Sequence, residues 1–151
     1  MRLAIDTNVL AYAEGMERAP EDKAKCAMAL RLLTRPGDET VVAARQTLAE
    51  LHAVLVRKMR LPPTDASDRV RQWAGQLELI DTNAAVFDAA LDLAGDHGLQ
   101  IYDSLILAAA VEARCDLLLT EDLQDGFAWR GVVVTNPFGS SPDPRLARLL
   151  N

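Results

Sequence analysis

Cysteine and histidine are scarce in this sequence. Cys26 and Cys115 stand alone, with no C-x-x-C or zinc-type spacing, which excludes a disulfide framework and a structural zinc site. Buried, inert thiols are the expectation. His52 and His97 fall in unrelated helical segments, and His97 beside Gly98 reads as a helix C-terminal residue, so a metal-free two-histidine ribonuclease mechanism has little support. No catalytic triad, zinc motif or glycine-rich phosphate loop occurs, which argues against an NTPase. No run of eighteen apolar residues is present, so no membrane span is expected. The opening "MRLAIDTN" has no apolar signal stretch before its first acid, and the expectation is a cytoplasmic protein. Positive charge is also short: 16 Lys and Arg face 22 Asp and Glu, a formal net charge of -6. A basic field over the whole surface is thereby excluded, and any nucleic acid must be held locally.

Half of the residues are hydrophobic and only 5% are aromatic, the apolar character coming mainly from Ala, Leu and Val. That composition favours helices packed on a compact sheet, and 151 residues suit a single domain spanning 1–151. Leu3 to Ile5 reads as a short buried strand, followed by a helix from about Asn8 to Glu14. Pro20 suits the first turn of a second helix reaching about Thr34, and "RPGD" (Arg35 to Asp38) breaks it. "TVVAA" (Thr40 to Ala44) is a second strand, and "RQTLAELHAVLVRKM" a helix with Leu48, Leu51, Leu55 and Met59 at three- and four-residue spacing. A helix follows the proline pair and ends near Gly75. "LELID" (Leu77 to Asp81) is the third strand, "NAAVFDAALDLAGDHG" a helix stopped by Gly98, and "YDSLILAAAVEARC" a further helix. "DLLLT" is the fourth strand and "GVVVTNP" the fifth; the tail "SSPDPRLARLLN" is a docked helix or frayed. Alternating strands and helices without linker or repeat describe an α/β fold, three-layered α/β/α, with a mainly parallel central sheet.

Acids mark the ends of these elements. Asp6 follows the first strand directly, at the carboxyl edge where open α/β sheets bind ligands. Asp103 heads the helical face formed by Ile106, Leu107 and Ala110, although an acid complementing a helix N-terminus explains it equally well. Glu50 lies beside the stripe containing Leu51 and Val54, where a solvent-facing Glu is the common outcome. The fourth strand, Leu117 to Leu119, ends in Thr120 and runs into Glu121 and Asp122. Periodicity leaves open which of Glu121, Asp122 and Asp125 faces a cleft; a turn-stabilising Asp is the plain alternative.

"AIDTNVLAY", Glu50 in "TLAELHAVL", "YDSLILAAA" and "LLLTEDLQDG" resemble, in that order, the four acidic signatures of the PIN-domain nucleases, most closely the VapC-type toxins of bacterial toxin–antitoxin pairs. Each motif alone is weak; four in order across nearly the whole chain are rather specific. The resemblance implies a catalytic and metal-binding quartet of Asp6, Glu50, Asp103 and Asp122, with Asn8 and Thr120 as polar support, and it is the resemblance that selects Asp122 over its neighbours. It implies a Mg²⁺-dependent endoribonuclease, with Mn²⁺ as a substitute, a homodimer, and a cognate antitoxin protein. The chemistry agrees: converging carboxylates repel, a hard divalent cation relieves that repulsion, and a bound water of lowered pKa attacks phosphorus.

Three rivals share parts of this pattern. A metal-dependent DNA nuclease and a phosphatase would use the same acids. A phospho-accepting receiver module would place its acceptor on Asp81, but the paired early acids and the late lysine are missing, since no Lys follows Lys58. For RNA binding, the basic clusters at Arg57 to Arg60 and Arg69 to Arg71 bracket the turn next to the Glu50 helix, making Arg57 and Arg69 candidates; solvated helix faces weigh equally.

Overall fold

A computed structural model describes residues 1–34 and 37–150. The break expected at Arg35 and Pro36 lies outside the described residues. The elements run β1 (Arg2–Ile5), α1 (Thr7–Ala13), α2 (Asp22–Thr34), β2 (Thr40–Ala44), α3 (Arg45–Arg57), α4 (Pro63–Gln76), β3 (Glu78–Ile80), α5 (Ala84–His97), α6 (Ile101–Glu112), β4 (Leu117–Leu119), β5 (Ala128–Trp129), β6 (Val132–Thr135) and α7 (Pro144–Leu150).

The sheet order is β3-β2-β1-β4-β6-β5, with β5 antiparallel to β6 and every other pairing parallel. Successive strand residues point to opposite faces, and both faces are covered. Leu3, Ile5, Leu117 and Leu119 pack with α1, α2, α3, α4 and α7, while Ala4, Val42, Leu118 and Val134 pack with α5 and α6. Three layers result. The chain winds from β1 outward through β2 to β3, then returns to lay β4 on the other flank of β1. This reversal is the switch point beyond whose carboxyl strand ends open α/β sheets bind ligands.

Two local features depart from expectation. Helix α2 starts at Asp22, two residues after Pro20, because the Asp22 carboxylate turns back to accept from the N–H groups of Arg18 (2.8 Å) and Ala19 (3.1 Å) and holds Pro20 in a turn. The second is β5. It pairs with β6 through a two-residue turn in which Arg130 and Gly131 both have positive φ (44° and 91°), the primed geometry that matches strand twist. The tail is docked: Leu146 is fully buried, and Arg31 donates to the Leu150 carbonyl. Helix α5 stops where expected, with Gly98 left-handed at φ 67°. Cys115 is buried, which pushes its thiol up to about 11; Cys26 is half-buried. No described helix is long and apolar enough to cross a membrane.

Candidate active site

Asp6 leaves β1 as part of the sheet ladder and enters α1 as its N-cap. Its N–H donates to the Leu119 carbonyl at 3.0 Å, which fixes it beside the end of β4. Its Oδ1 accepts from the Thr7 N–H at 2.6 Å, while Oδ2 accepts from the Thr120 hydroxyl at 2.7 Å and from Asn8 Nδ2 at 3.1 Å. Only 6% of Asp6 is exposed. Burial therefore raises its carboxyl to about 6; the bonds from Thr120 and Thr7 oppose that rise, and the charges of Asp122 and Glu50 add to it.

Three further elements bring acids to the same edge. Helix α3 starts directly after β2, and its Glu50 is held by the Thr7 hydroxyl at 2.9 Å and by Gln46 Nε2 at 2.7 Å. Asp103 sits in the first turn of α6, half-buried, its carboxyl raised by burial and then by the charges of Asp122 and Glu50. Asp122 is exposed beyond β4; it accepts from Asn8 Nδ2 at 3.1 Å, and its own N–H donates to Thr120 Oγ1 at 3.1 Å. Asp6, Glu50, Asp103 and Asp122 thus share one electrostatic neighbourhood, with Asn8 and Thr120 between Asp6 and Asp122.

Geometry also separates the three neighbouring acids. Glu121 borders the same recess as Asp122 but is already paired, accepting from the Tyr12 hydroxyl at 2.7 Å and from Lys25 Nζ at 2.6 Å, with Arg18 at 3.6 Å. Asp125 accepts from the Asn136 N–H at 2.8 Å and holds a turn. Only Asp122 bonds to the Asn8–Thr120 pair. The receiver alternative fares differently: Asp81 lies at the end of edge strand β3, exposed and ion-paired with Arg45. His52 faces α4, with Nε2 3.1 Å from Ser67 Oγ, and His97 packs edge-on against Phe127.

The donor set is all oxygen, the choice of hard divalent cations such as Mg²⁺ or Mn²⁺. Among the described residues, no three His, Cys, Asp or Glu side chains converge into a closed ligand group. Mg²⁺ keeps several waters and takes one or two carboxylates directly, so it does not call for a closed group of protein ligands. Asn8 Oδ1 is buried and has no partner, an acceptor beside the carboxylates still lacking a donor.

Two openings flank Asp122. One is a recess of about 360 Å³ between α1 and α3, lined by the acids Glu50, Glu121 and Asp122, by Ala11, Met16 and Val54, and by the cations Arg18 and Lys58. The other lies beside Asp103, with Gln100 and Gln124. Neither proposed arginine lines the recess. Arg57 is exposed in the last turn of α3, and Arg69 stands on α4 with its guanidinium 3.6 Å from Glu14. Sequence reasoning missed Thr7 and Arg18, and it placed Lys58 in the basic cluster Arg57 to Arg60 while singling out Arg57. Thr7 lay inside the first motif; Arg18 gave no signal.

A sequence profile described as PIN domain matches residues 3–127. No curated protein matches the chain by sequence. Among solved structures, a toxin–antitoxin complex from Klebsiella pneumoniae is similar at 21% identity over 89% of this chain and 97% of that one, with a TM-score of 0.61. VapBC2 from Rickettsia felis, bound to a promoter DNA fragment, is similar at 20% identity over 90% and 98%, with a TM-score of 0.62. A sarcin–ricin-loop-cleaving VapC toxin from Mycobacterium tuberculosis is similar at 16% identity over 77% and 86%, with a TM-score of 0.58. At such identities the likeness is one of fold.

Proposed function

The chain belongs to the PIN domain family, and from that premise we propose that it is a single-domain, Mg²⁺-dependent endoribonuclease and the toxin of a toxin–antitoxin pair. The observation that carries this reading is the buried Asp6 carboxylate at a strand end, joined through Asn8 and Thr120 to Asp122 and through Thr7 to Glu50. Acids gathered in this way at a strand edge offer the oxygen ligands that a hard divalent cation takes. The solved toxin–antitoxin complexes and the RNA-cleaving toxin of like fold support the choice of RNA and of an antitoxin partner.

When bound, a divalent ion supplies the positive charge that keeps the carboxylates ionised and acidifies a coordinated water. Asp6 and Asp122 would hold it, with Glu50 and Asp103 on either side. Thr7 fixes the Glu50 carboxylate, and Asn8 and Thr120 fix the other two, so these donors hold the acids in place against their mutual repulsion. Asp103 has a raised proton affinity and no hydrogen-bond donor among the described residues, so it is free to take the proton of an attacking water at a carboxylate oxygen.

A homodimer belongs to the same reading. Phe87 and Leu91, one turn apart on α5, and Tyr102 on α6 are exposed apolar side chains that a second copy would cover.

A panel of RNA, DNA and phosphomonoester substrates, with Mg²⁺ and with EDTA, tests the proposal. RNA cleavage that EDTA stops and added Mg²⁺ restores is expected. EDTA-resistant cleavage would remove the metal; turnover of DNA or a phosphomonoester with RNA intact would make this a different hydrolase on the same acids.

A further inference from the structure

Glu50 is the one glutamate among the four acids, and the longest of their side chains. Its charge is among those that raise Asp6 and Asp103, and it borders the recess between α1 and α3. A long, half-buried acid in that position would relieve the repulsion by swinging into the recess, and would keep its rotational freedom by doing so. It does not swing, because both of its oxygens are held. Oε2 accepts from the Thr7 hydroxyl at 2.9 Å, and Oε1 accepts from Gln46 Nε2 at 2.7 Å. Thr7 opens α1 and Gln46 stands in the first turn of α3, so two elements grip the one carboxylate.

The Gln46 contact differs from an ordinary pair one helical turn apart. Such pairs stabilise a helix weakly and leave the acid free to turn away. Here the second oxygen is taken at the same time from outside the helix, which removes the freedom that a single contact leaves. Each oxygen nevertheless keeps one of its two lone pairs. The two donors therefore fix the carboxylate without using it up, and what remains is aimed before any ligand arrives. Gln46 stands one residue outside "TLAELHAVL", the segment whose likeness to the family carries Glu50, so this donor is not part of that likeness.

We infer that Gln46 is a positioning residue of the metal site: acting through Glu50 and together with Thr7, it holds the Glu50 carboxylate in the orientation that serves a divalent cation or that cation's water. The inference rests on the metal-dependent nuclease reading above. Gln46 itself touches neither the ion nor the RNA. An acid that is already aimed incurs no ordering cost when the ion arrives. Residues that orient metal-binding carboxylates in this way are worth about 10- to 100-fold in metal affinity.

Calorimetric titration of the metal-free full chain with Mn²⁺ tests this. Wild type is compared with Gln46→Met, which keeps the length and removes the donor, and with Gln46→Asn, whose amide is one methylene shorter and is withdrawn from Glu50. Gln72→Met, exposed on α4, is the control, and either Gln46 change is also added to Glu50→Ala. Both Gln46 variants should weaken Mn²⁺ binding by about tenfold, and Gln72→Met should match wild type. In the Glu50→Ala background the Gln46 changes should alter the affinity by less than about twofold, because a residue that acts through Glu50 has nothing left to act on. A residue that only props the helix would weaken binding equally in both backgrounds. Should Gln46→Met fail to fold, Gln46→Asn, which keeps the polar amide, carries the same comparison. Equal affinity in wild type and the Gln46 variants, or a tenfold loss that persists without Glu50, would overturn the inference. A wild-type protein that binds no Mn²⁺ would instead remove the metal site itself, and with it any such role for Gln46.

Discussion

Thr120 donates its hydroxyl proton to Asp6 Oδ2 at 2.7 Å while the same oxygen accepts from Asn8 Nδ2 and from the Asp122 N–H, both at 3.1 Å. One hydroxyl thereby uses its single donor and both lone pairs. Asp6 and Asp122, which repel, are linked through a group that can donate to one and accept from the other.

Replacing Thr120 by Val keeps the shape and removes that link. Asp6 loses the hydrogen bond that does most to hold its proton affinity down, so the acid limb of the cleavage pH profile should move to higher pH. Two donors lose an acceptor in a buried place, a loss of about 1–2 kcal/mol in stability. Urea denaturation and a pH–rate profile check both effects, and Thr120→Ser should restore both. An acid limb at the same pH in Thr120→Val and wild type would separate Thr120 from the titration of Asp6.

Asp6 also makes the metal-free protein sensitive to pH. Its folded proton affinity, about 6, is above the ordinary 3.8, mainly through burial. A carboxyl shifted in that direction contributes stability that is complete below about pH 4 and disappears as pH rises through 6. Relative to Asp6→Asn, metal-free wild type should therefore lose on the order of 2 kcal/mol between pH 4 and pH 7.5. Denaturation midpoints for both proteins across that range, in EDTA, give the measurement. Added Mg²⁺ should return the stability at pH 7.5 and do little at pH 4. Parallel midpoints for the two proteins would show that Asp6 ionises freely.

Glu121 and Asp122 adjoin in sequence and take different partners. Asp122→Asn should abolish metal-dependent cleavage while leaving the fold intact. Glu121→Gln should loosen the contacts to Lys25 and Tyr12, costing about 1 kcal/mol in a pair that is only partly buried, with cleavage reduced less than tenfold. Equal loss of turnover in both variants would show that the direction of the Glu121 side chain has been misassigned.

An arginine offered to the acids should act as an inhibitor. Its planar fork matches a carboxylate pair, and the attraction is screened by salt. A short arginine-bearing peptide should therefore inhibit wild-type cleavage more weakly as salt rises, and a fluorescent form of it should bind Asp122→Asn less tightly than wild type. Binding that is indifferent to both changes would place the peptide elsewhere.

The parts of this arrangement that were legible in the sequence are those that depend on local pattern. Leu3 to Ile5 and Leu117 to Leu119 are buried on both faces, so each is an uninterrupted apolar run, and the polar residue that ends it marks the sheet edge. Asp103 was legible because it heads a helical face that has to be buried. The strand pattern ends at Thr120, however, and with it the rule for side-chain direction. Glu121 is taken up by Lys25 and Tyr12, on α2 and α1, a tertiary fact with no local trace. Lys58 and Arg18 meet at one recess only through the packing of α3 on α1. Strand β5 escaped notice because it has two residues and because Arg130 fills a turn position where Asn or Asp would be the usual sign.

The contact between Asp6 and Thr120 spans 114 positions of chain, and the strands that carry the two residues are the central pair of the sheet. Contacts of that separation carry a large loop-closure cost and form late in folding. A chain emerging from the ribosome therefore holds Asp6 and Glu50 before it has β4, and in that interval Asp6 lacks both the Leu119 carbonyl and the Thr120 hydroxyl that fix it. The Thr7–Glu50 contact needs only the first half of the chain, whereas the Asp6–Thr120–Asp122 link forms only once β4 has slotted in beside β1.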